Sequence, residues 1–311
     1  MNIRHLRYFA TLAREKHYAR AAHTCHVTQP TLSAAISQLE KELGVPLIER
    51  GGQRFRALTR EGVRVLAWTH RILADSDALE QDVGEFKEGL SGVLRFAAIP
   101  AAMAVVPLIL SSFSRQHPLV TVRVLSSRSI EIQRGLDDFN IDVGLTYLDN
   151  EPLRNVRMLP LYREQYMLLT PSPGAFDGRD AVTWREAATQ PLCLFTPDMQ
   201  NRRIVDRLFR DGGAAPKAAI ETDSIMALCA HVRLGAWSSV VPHTLLAALG
   251  AADGLRVLRL TAPQASQSVG LVATNREPPP PLARALLESA GEIDIAALIA
   301  HSLPKELETV G

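Results

Sequence analysis

The sequence contains few of the features that mark enzymes, metal proteins or disulfide-rich domains. Its three cysteines, Cys25, Cys193 and Cys229, lie far apart, and no CxxC or His/Cys metal spacing occurs. This pattern indicates neither a disulfide framework nor a zinc site, and the alternative is a redox-sensing pair of thiols that meet in space. There is no GxSxG, P-loop, HExxH or strand-linked GxGxxG motif. We therefore predict a protein that is not an enzyme and has no metal or cofactor.

Long apolar runs are also absent. The N-terminus is charged and has a helical pattern rather than that of a signal peptide, and no segment reaches the length that crosses a membrane. We expect a cytoplasmic protein without a membrane partner. The apolar content of 47% is that of a folded chain, and a length of 311 residues predicts two or three domains.

The net charge of +1 conceals an uneven distribution of charge along the chain. Residues 1–60 contain ten Lys/Arg against four Asp/Glu, so this segment carries +6 and the remainder carries −5. A small basic segment on an acidic body indicates that the segment binds a polyanion.

The segment TQPTLSAAISQLEKEL, from Thr28 to Leu43, predicts the helix that makes this contact. Thr28 can cap its first turn, Pro30 stands where a missing N–H costs nothing, and Gly44 ends it. Apolar residues recur with helical spacing and give the helix one buried face. The other face has hydroxyl and amide groups, which suit base edges and phosphates. An ordinary amphipathic surface helix is the alternative.

The flanking segments favour DNA binding. A short helix over YARAAHTC and a tight turn precede this segment, which predicts a helix-turn-helix. The Gly51-Gly52 pair that follows predicts a hairpin turn among arginines, which is typical of a basic β-wing; a solvated loop is the alternative. The predicted DNA-binding residues are Gln29, Pro30, Thr31, Ser33, Ser37, Arg50, Arg54 and Arg56.

A long helical pattern then runs from Thr59 to about Lys87. Its heptad repeat predicts that the helices of two chains pair, while packing on the chain's own core is the alternative. The residues of this seam are Val65, Thr69, Ile72, Ser76, Leu79, Val83 and Phe86.

Strand and helix patterns alternate after Gly92, which predicts mainly parallel sheets covered by helices, in two lobes with a cleft between them. Ala101 to His117 is predicted as a helix, and VRMLPLY and QYMLLTP as two separate strands. The predicted fold class is therefore α/β. The predicted domains are a winged helix-turn-helix over 1–60, a linker and dimerisation helix over 61–89, and a two-lobed α/β domain over 90–311, with lobe I at about 90–161 and 267–300 and lobe II at about 162–266.

These motifs together resemble the LysR family of bacterial transcription regulators, over the whole chain. The resemblance is carried by LRYFATLAREKHYARAA, HVTQPTLSAAISQLEKELGVPLIER and LTREG. It implies a dimer through the linker helix, a tetramer built from two dimers, and an effector domain like the periplasmic binding proteins. The implied partners are double-stranded promoter DNA, further copies of the chain and, for an activator, RNA polymerase. The segment VRLGAWSSVVP resembles a subgroup encoded beside formate or cyanate metabolism genes.

The resemblance also assigns individual residues. Gln29, Pro30 and Ser33 match the family's base- and backbone-contacting positions at the start of the recognition helix. Ala34 stands where many members have arginine, and Pro100 where many have a Ser or Thr that binds effector.

A cleft between two α/β lobes is a standard ligand site, and helix starts that face it favour anions. We expect a small anionic co-inducer such as a short carboxylate, paired with Arg128 and bound by the N–H groups of Ala101 and Ala102. Trp237 is expected to shrink the cleft; the alternative is that Arg128 is a surface charge and Trp237 a core residue. The candidate effector residues are Ala101, Ala102, Ser127, Arg128, Ser129, Thr146, Thr196, Asn201 and Trp237.

The function predicted from these features is an effector-responsive, DNA-binding transcription regulator. The alternative is a solute-binding module of a transport system, because the two lobes alone would suit that role. The basic N-terminal segment and the missing signal-peptide pattern argue against the alternative.

Overall fold

The structure is a computed structural model that describes residues 1–51, 54–249 and 254–302, without the side chains at 50, 51, 54, 87, 88, 247–249 and 302. The chain divides into two compact units, residues 1–89 with 137–140 and residues 90–136 with 141–311. Each unit has a hydrophobic core of its own. Within the described part of the chain, every helix is too short or too polar to cross a membrane.

The first unit consists of α1 (Ile3–Glu15), α2 (Tyr18–Thr24), α3 (Gln29–Leu43), β1 (Ile48–Gly51), β2 (Arg54–Leu58) and α4 (Arg60–Glu88). Thr28 caps α3, because its hydroxyl accepts a hydrogen bond from the Thr31 N–H at 3.3 Å. Gly44 ends the helix in the left-handed region, with φ of 71°. The predicted helix-turn-helix is therefore confirmed. The antiparallel pair β1–β2 confirms the predicted hairpin, and residues 52 and 53 lie outside the described residues.

The heptad seam of α4 has a different environment in each half of the helix. Thr69 is fully buried, and Val65 and Ile72 pack against the core of the first unit. Further along the helix, Val83 is 48% exposed and Phe86 is 87% exposed. The first half of the seam thus packs on its own unit, as the alternative predicted, while the second half presents apolar side chains without a cover in the single chain.

The second unit contains β3 (Gly92–Ala98), α5 (Val106–Gln116), β4 (Val120–Ser126), α6 (Ser129–Asp137), β5 (Val143–Tyr147), β6 (Val156–Pro171), β7 (Ala181–Thr183), α7 (Trp184–Ala187), β8 (Leu192–Phe195), α8 (Gln200–Asp211), β9 (Ala218–Thr222), α9 (Ile225–Arg233), β10 (Ser239–Pro242), α10 (His243–Leu249), β11 (Leu255–Thr261), β12 (Ser266–Thr274), α11 (Pro281–Gly291) and α12 (Ile295–Ser302). The main sheet has the order β4-β3-β5-β12-β6-β11-β7, with β10 also paired to β6, and β8-β9 form a separate pair. Strands joined through helices, such as β3, β4 and β5, pair in parallel as predicted. The prediction of mainly parallel sheets is wrong around β6, which pairs antiparallel with β10, β11 and β12.

One continuous strand, β6, runs through both lobes of this unit. The strand β6 pairs with β12 from Val156 to Gln165, and with β10 and β11 from Tyr166 to Pro171. The prediction of two separate strands here is therefore wrong. The charged pair Arg163-Glu164 interrupts the apolar pattern of the sequence, but its backbone stays in the strand.

The predicted helix from Ala101 to His117 is also wrong at its start. Residues Pro100–Ala102 form a 3-10 turn, and α5 begins only at Val106. Pro107 accounts for the difference, because in the interior of a longer helix its ring would clash with the preceding turn and its missing N–H would break a hydrogen bond. In the first turn of α5 that N–H is not needed.

Glu164 is a fully buried carboxyl group in the middle of β6. The Tyr147 hydroxyl donates a hydrogen bond to its Oε1 at 2.5 Å, while its Oε2 has no hydrogen-bond partner among the described residues. Burial above all, and the charge of the nearby Asp149, raise the pKa of Glu164 to a net value of about 7. The Tyr147 hydrogen bond opposes the rise, as does the Tyr166 hydroxyl, which lies close but does not reach hydrogen-bond geometry.

We expect this carboxyl to make stability fall with pH. The pKa of Glu164 is about 7 in the folded chain against an ordinary value of 4.5, so the native state holds a proton that the unfolded state releases. Stability is full below the ordinary value and decreases by about 3 kcal/mol as pH rises through 7. The change Glu164→Gln should remove this decrease. Urea unfolding at roughly pH 5 and pH 8, followed by tryptophan fluorescence, measures the difference in unfolding free energy between the two pH values. The same difference for wild type, Glu164→Gln and the exposed control Glu292→Gln would contradict the prediction.

Two glycines in α4 give a matched test of packing in the first unit. A Cβ added at Gly62 would lie 2.0 Å from the Leu47 carbonyl oxygen, whereas one at Gly84 would have nothing within 4 Å. Both changes gain the same helix propensity. Gly62→Ala should therefore lower the unfolding free energy by more than about 2 kcal/mol, and Gly84→Ala should raise it by up to about 1 kcal/mol. Hydrogen exchange of the α3 and α4 amides reports both values, and equal effects would show that α4 does not approach Leu47 this closely.

Candidate nucleic-acid interface and interlobe cleft

The start of α3 is the part of the first unit best suited to contact DNA. Gln29, Pro30 and Thr31 are exposed there, and Ser33 and Ser37 are half-buried beside them. The first turn contains no acidic residue, so the N–H groups at the helix start keep their partial positive charge. Hydroxyl and amide groups at such a helix end suit phosphate oxygens and base edges.

The exposed face continues along the helix through Ala34, Gln38 and Lys41. Ala34 lies at the centre of this face, so a methyl group stands where many members of the resembled family have a guanidinium. Gln38 is already occupied, because its amide donates to Glu42 Oε1 at 3.1 Å. Polar contacts with DNA are therefore concentrated at the first turn of α3.

The hairpin is fixed to α3 by partly buried hydrogen bonds to a carboxylate of the helix. Glu40 Oε1 accepts hydrogen bonds from the Leu47 N–H at 2.9 Å and from the Ile48 N–H at 3.3 Å. Arg56 on β2 is exposed, whereas the side chains of Arg50 and Arg54 lie outside the described part of the chain. The structure thus places one predicted arginine of the wing at the surface, on a strand whose position is set by the recognition helix.

The second unit has a cavity between its lobes, but the cavity is small. Its volume of about 10 Å³ is room for about one water molecule. The residues that line it are Ile99, Pro100, Ala101, Arg128, Ser129, Tyr147, Phe195, Met199, Gln200 and Asn201.

Helix α8 closes this cleft through direct hydrogen bonds to the loop after β5. The Asn201 amide donates to the Tyr147 hydroxyl at 2.8 Å, and the Gln200 amide donates to the Asp149 carbonyl at 3.3 Å. One turn later, Arg203 Nε donates to Glu151 Oε1 at 2.7 Å. Because Tyr147 in turn donates to Glu164, a continuous chain of hydrogen bonds runs from α8 into β6.

Arg128 forms the outermost contact across the cleft. Its guanidinium pairs with Asp198 of the opposite lobe and with Glu131 of its own helix, and its N–H donates to Glu131 Oε2 at 3.0 Å. The hydrogen bond from Arg128 lowers the pKa of Glu131. The pKa of Asp198 is lowered first by the Thr196 hydroxyl and then by Arg128. The guanidinium that we predicted to bind an anionic effector is therefore already paired with two carboxylates of the protein.

Four of the predicted effector residues meet at the cavity, namely Ala101, Arg128, Ser129 and Asn201. The expected N–H of Ala102 is not available, because it donates to the Ile99 carbonyl at 2.9 Å within the 3-10 turn. That expectation is wrong for the same reason as the predicted helix: the chain turns tightly before α5 begins.

The remaining predicted residues lie around the cavity without lining it. The Ser127 N–H donates to the Ala98 carbonyl at 2.9 Å, and Thr196 supports Asp198. Thr146 is fully buried, and its hydroxyl has no hydrogen-bond partner among the described residues. Trp237 packs in a separate apolar cluster, with its ring edge-on to His231 at a centroid distance of 5.6 Å. It is partly buried against that cluster, which is closer to the alternative reading, and it does not line this cavity.

Sequence reasoning missed Tyr147, Gln200 and Glu164. Tyr147 ends β5 directly after the predicted Thr146, so the carboxyl end of that strand was the signal for it. Gln200 precedes Asn201 at the start of α8. No local pattern indicates that Glu164 is buried. Among the described residues, no group of His, Cys, Asp and Glu is placed to hold a metal ion.

Comparison with protein families gives two matches that together span most of the chain. Residues 3–63 match the bacterial regulatory helix-turn-helix proteins of the lysR family, and residues 87–294 match the LysR substrate binding domain. The DNA-binding transcriptional dual regulator OxyR of Escherichia coli K12 is 26% identical over 273 residues, which cover 88% of this chain and 89% of that protein. A probable hydrogen peroxide-inducible genes activator of Streptomyces viridosporus is 30% identical over 243 residues, 77% of each chain.

Solved structures agree on the fold. A full-length OxyR variant from Pseudomonas aeruginosa superposes with a TM-score of 0.76 at 24% identity, covering 95% of this chain and 99% of that one. Full-length CbnR complexed with its target DNA gives a TM-score of 0.68 at 25% identity, covering 93% and 99%. The comparisons do not show the formate- or cyanate-linked subgroup, which stays a prediction. The helix-turn-helix, the two-lobed domain and both family matches lead to one conclusion: the chain belongs to the LysR family of DNA-binding transcriptional regulators, with an effector-binding domain.

Proposed function

We propose that this regulator binds promoter DNA through the first turn of α3 and the β1–β2 wing, as an oligomer of identical chains in the cytoplasm, and has no catalytic activity of its own. The observation that carries the DNA contact is the exposed, acid-free start of α3 with Gln29 and Thr31 at the surface. The related CbnR, whose structure includes its target DNA, supports the same use of this fold. The comparisons lend no support to a solute-binding module of a transport system.

Self-association is supported by two apolar surfaces. One is the second half of the α4 seam, where Leu79 is 65% exposed together with Val83 and Phe86. The other is the edge strand β4 with the start of α6, where Leu125 is 50% and Ile130 is 48% exposed. Contiguous exposed apolar surfaces mark sites of association. Two such surfaces on different units suit a tetramer made of two dimers.

The effector that we propose is a short carboxylate that replaces Asp198 on Arg128. The cavity of about 10 Å³ does not hold such a molecule while the lobes are closed by direct contacts. A carboxylate can enter only if the Asp198 contact opens, so binding and a change of lobe arrangement are one event. In the closed form, the Asp198 carboxylate therefore takes the place on Arg128 that the carboxylate of the effector would take.

The peroxide response named for several relatives is a second candidate, but the cysteines argue against it here. Thiol oxidation starts from the thiolate and needs a lowered pKa and access. Burial raises the pKa of Cys193, which is fully buried, and also raises the pKa of Cys229. Neither thiol therefore has the lowered pKa that activates a sensing cysteine.

Gln29 is expected to read the DNA sequence. Replacing Gln29 by Ala should cost about 1–3 kcal/mol on the operator and little on random DNA, because the lost contact is to a base edge. Gln38→Ala, on the same helix, should leave both affinities near wild type, since its amide is bound to Glu42. Fluorescence anisotropy with the DNA upstream of the gene tests this, and equal losses on both DNAs for Gln29→Ala would refute base reading.

The two apolar surfaces are expected to hold different interfaces. A charge placed on either surface is buried without a counter-ion when the oligomer forms. Leu79→Asp and Leu125→Asp should each halve the mass of a tetramer, and the double variant should be monomeric. Light scattering gives the masses, with circular dichroism to show that each variant is folded. A wild-type mass for either single variant would remove that surface from the assembly.

Asp198→Asn is expected to strengthen carboxylate binding at the cleft. Removing the internal carboxylate leaves Arg128 with only Glu131, so acetate should bind roughly tenfold more tightly, while Arg128→Gln should abolish binding. Glu277→Gln is the control, because it breaks an ion pair with Arg157 elsewhere in the same unit. Titration calorimetry with acetate measures all four proteins. Equal affinity of Asp198→Asn, Arg128→Gln and wild type would place the effector elsewhere.

A further inference from the structure

A second cavity lies on the outer face of β6, apart from the interlobe cavity and with different lining residues. Its volume is about 530 Å³, within the range of pockets that hold small organic ligands. It lies between β6, β12, the first residue of α10 and α12. Apolar walls come from Leu161, Met167 and Ile299, and from Ala296 and Ala300, which lie one turn apart on α12.

His243 supplies a neutral hydrogen-bond donor at this cavity. Its Nδ1 accepts a hydrogen bond from the Gln165 N–H at 3.0 Å. Burial lowers the pKa of His243 to about 4, so the ring is uncharged near neutral pH and carries its proton on Nε2. That Nε2–H has no other hydrogen bond among the described residues. It can therefore donate to a ligand in the cavity.

Arg163 supplies a positive charge at the same cavity. Its Nε donates to the Ser266 hydroxyl at 2.9 Å, which holds the side chain against β12. Among the described residues, no carboxylate forms an ion pair with this guanidinium. Arg128, in contrast, forms ion pairs with two carboxylates. The lining contains no acidic residue. The cavity therefore combines apolar walls with a cation and a neutral donor, and has no negative charge.

We propose that this cavity binds a small organic carboxylate with an apolar body, its carboxylate on Arg163 and His243 and its body against α12. An acid without an apolar part would leave the apolar walls uncovered, and an apolar molecule without an acceptor would make no hydrogen bond to Arg163 or His243. The site lies where β6 changes its pairing from β12 to β10 and β11, between Gln165 and Tyr166. A ligand here contacts the strand that joins the lobes. This inference does not depend on the proposed function, because it concerns binding and not DNA.

Titration calorimetry on the full chain tests the proposal with 4-phenylbutyrate as the probe and 4-phenylbutanol as its neutral match. The wild type should bind the acid at least tenfold more tightly than the alcohol. Arg163→Gln should weaken binding of the acid roughly tenfold, a loss typical of one charge-assisted hydrogen bond. Ala296→Phe should weaken binding as well, because its ring takes up space against α12 that the apolar body of the ligand needs.

Two controls separate this site from others. Ala297→Phe places the same ring on an exposed position of α12 that does not line the cavity and should bind as the wild type does. Arg128→Gln should also be without effect, because it changes only the interlobe cleft. The proposal is overturned if the wild type does not bind the acid, if the alcohol binds as tightly, or if Arg163→Gln and Ala296→Phe bind like the wild type. Loss of binding in Arg128→Gln would overturn it as well.

Discussion

The backbone pairing of β6 is the constraint on which the second unit depends. A strand that is hydrogen-bonded to β12 in one lobe and to β10 and β11 in the other cannot slide without breaking ladders on both sides. The chain crosses between the lobes again from β11 to β12, so two connections join them. Relative movement of the lobes is therefore restricted to rotation about the point where β6 changes its neighbours. The larger cavity is lined by β6 residues on both sides of that point, among them Gln165 and Met167, which makes ligand binding there a means of setting the rotation.

The contacts that close the cleft differ in strength, and the difference favours a switch. The Tyr147–Glu164 hydrogen bond is fully buried, so it has little competition from water. The Arg128–Asp198 pair is 42% and 51% exposed, and exposed ion pairs contribute little to stability. A ligand that displaces Asp198 thus breaks the weak outer contact first. The inner chain through Asn201 and Tyr147 then determines how far the lobes separate.

Local signals in the sequence predicted local structure well. The caps Thr28 and Gly44 and the proline in the first turn of α3 act within four residues of the helix ends, and the structure confirms them. What failed depended on distant residues. The charged pair Arg163-Glu164 suggested a break between two strands. The sequence does not show that Tyr147, from another strand of the sheet, donates a hydrogen bond to the buried Glu164 carboxyl. Arg128 suggested an anion site, because Asp198 is 70 residues away and reaches it only after both lobes have formed. The expectation that Trp237 shrinks the cleft is not met, because apolar neighbours hold it against a separate cluster.

The α4 helix shows why its two predicted roles do not exclude each other. A heptad seam records only that one side of a helix is apolar; it does not specify what covers that side. Over the first turns the cover is the chain's own core, and Arg7 pairs with Asp77 at 3.0 Å to hold α1 against α4. Beyond that pair the helix leaves the hydrophobic core of its unit, and Leu79, Val83 and Phe86 continue the same stripe with exposed side chains. Isolated exposed apolar residues are ordinary, but three on one helical stripe form a surface that a second helix can bury. Of the two polar seam residues, Thr69 lies in the half that is already covered and Ser76 lies where that half ends, so the three seam residues beyond it are all apolar.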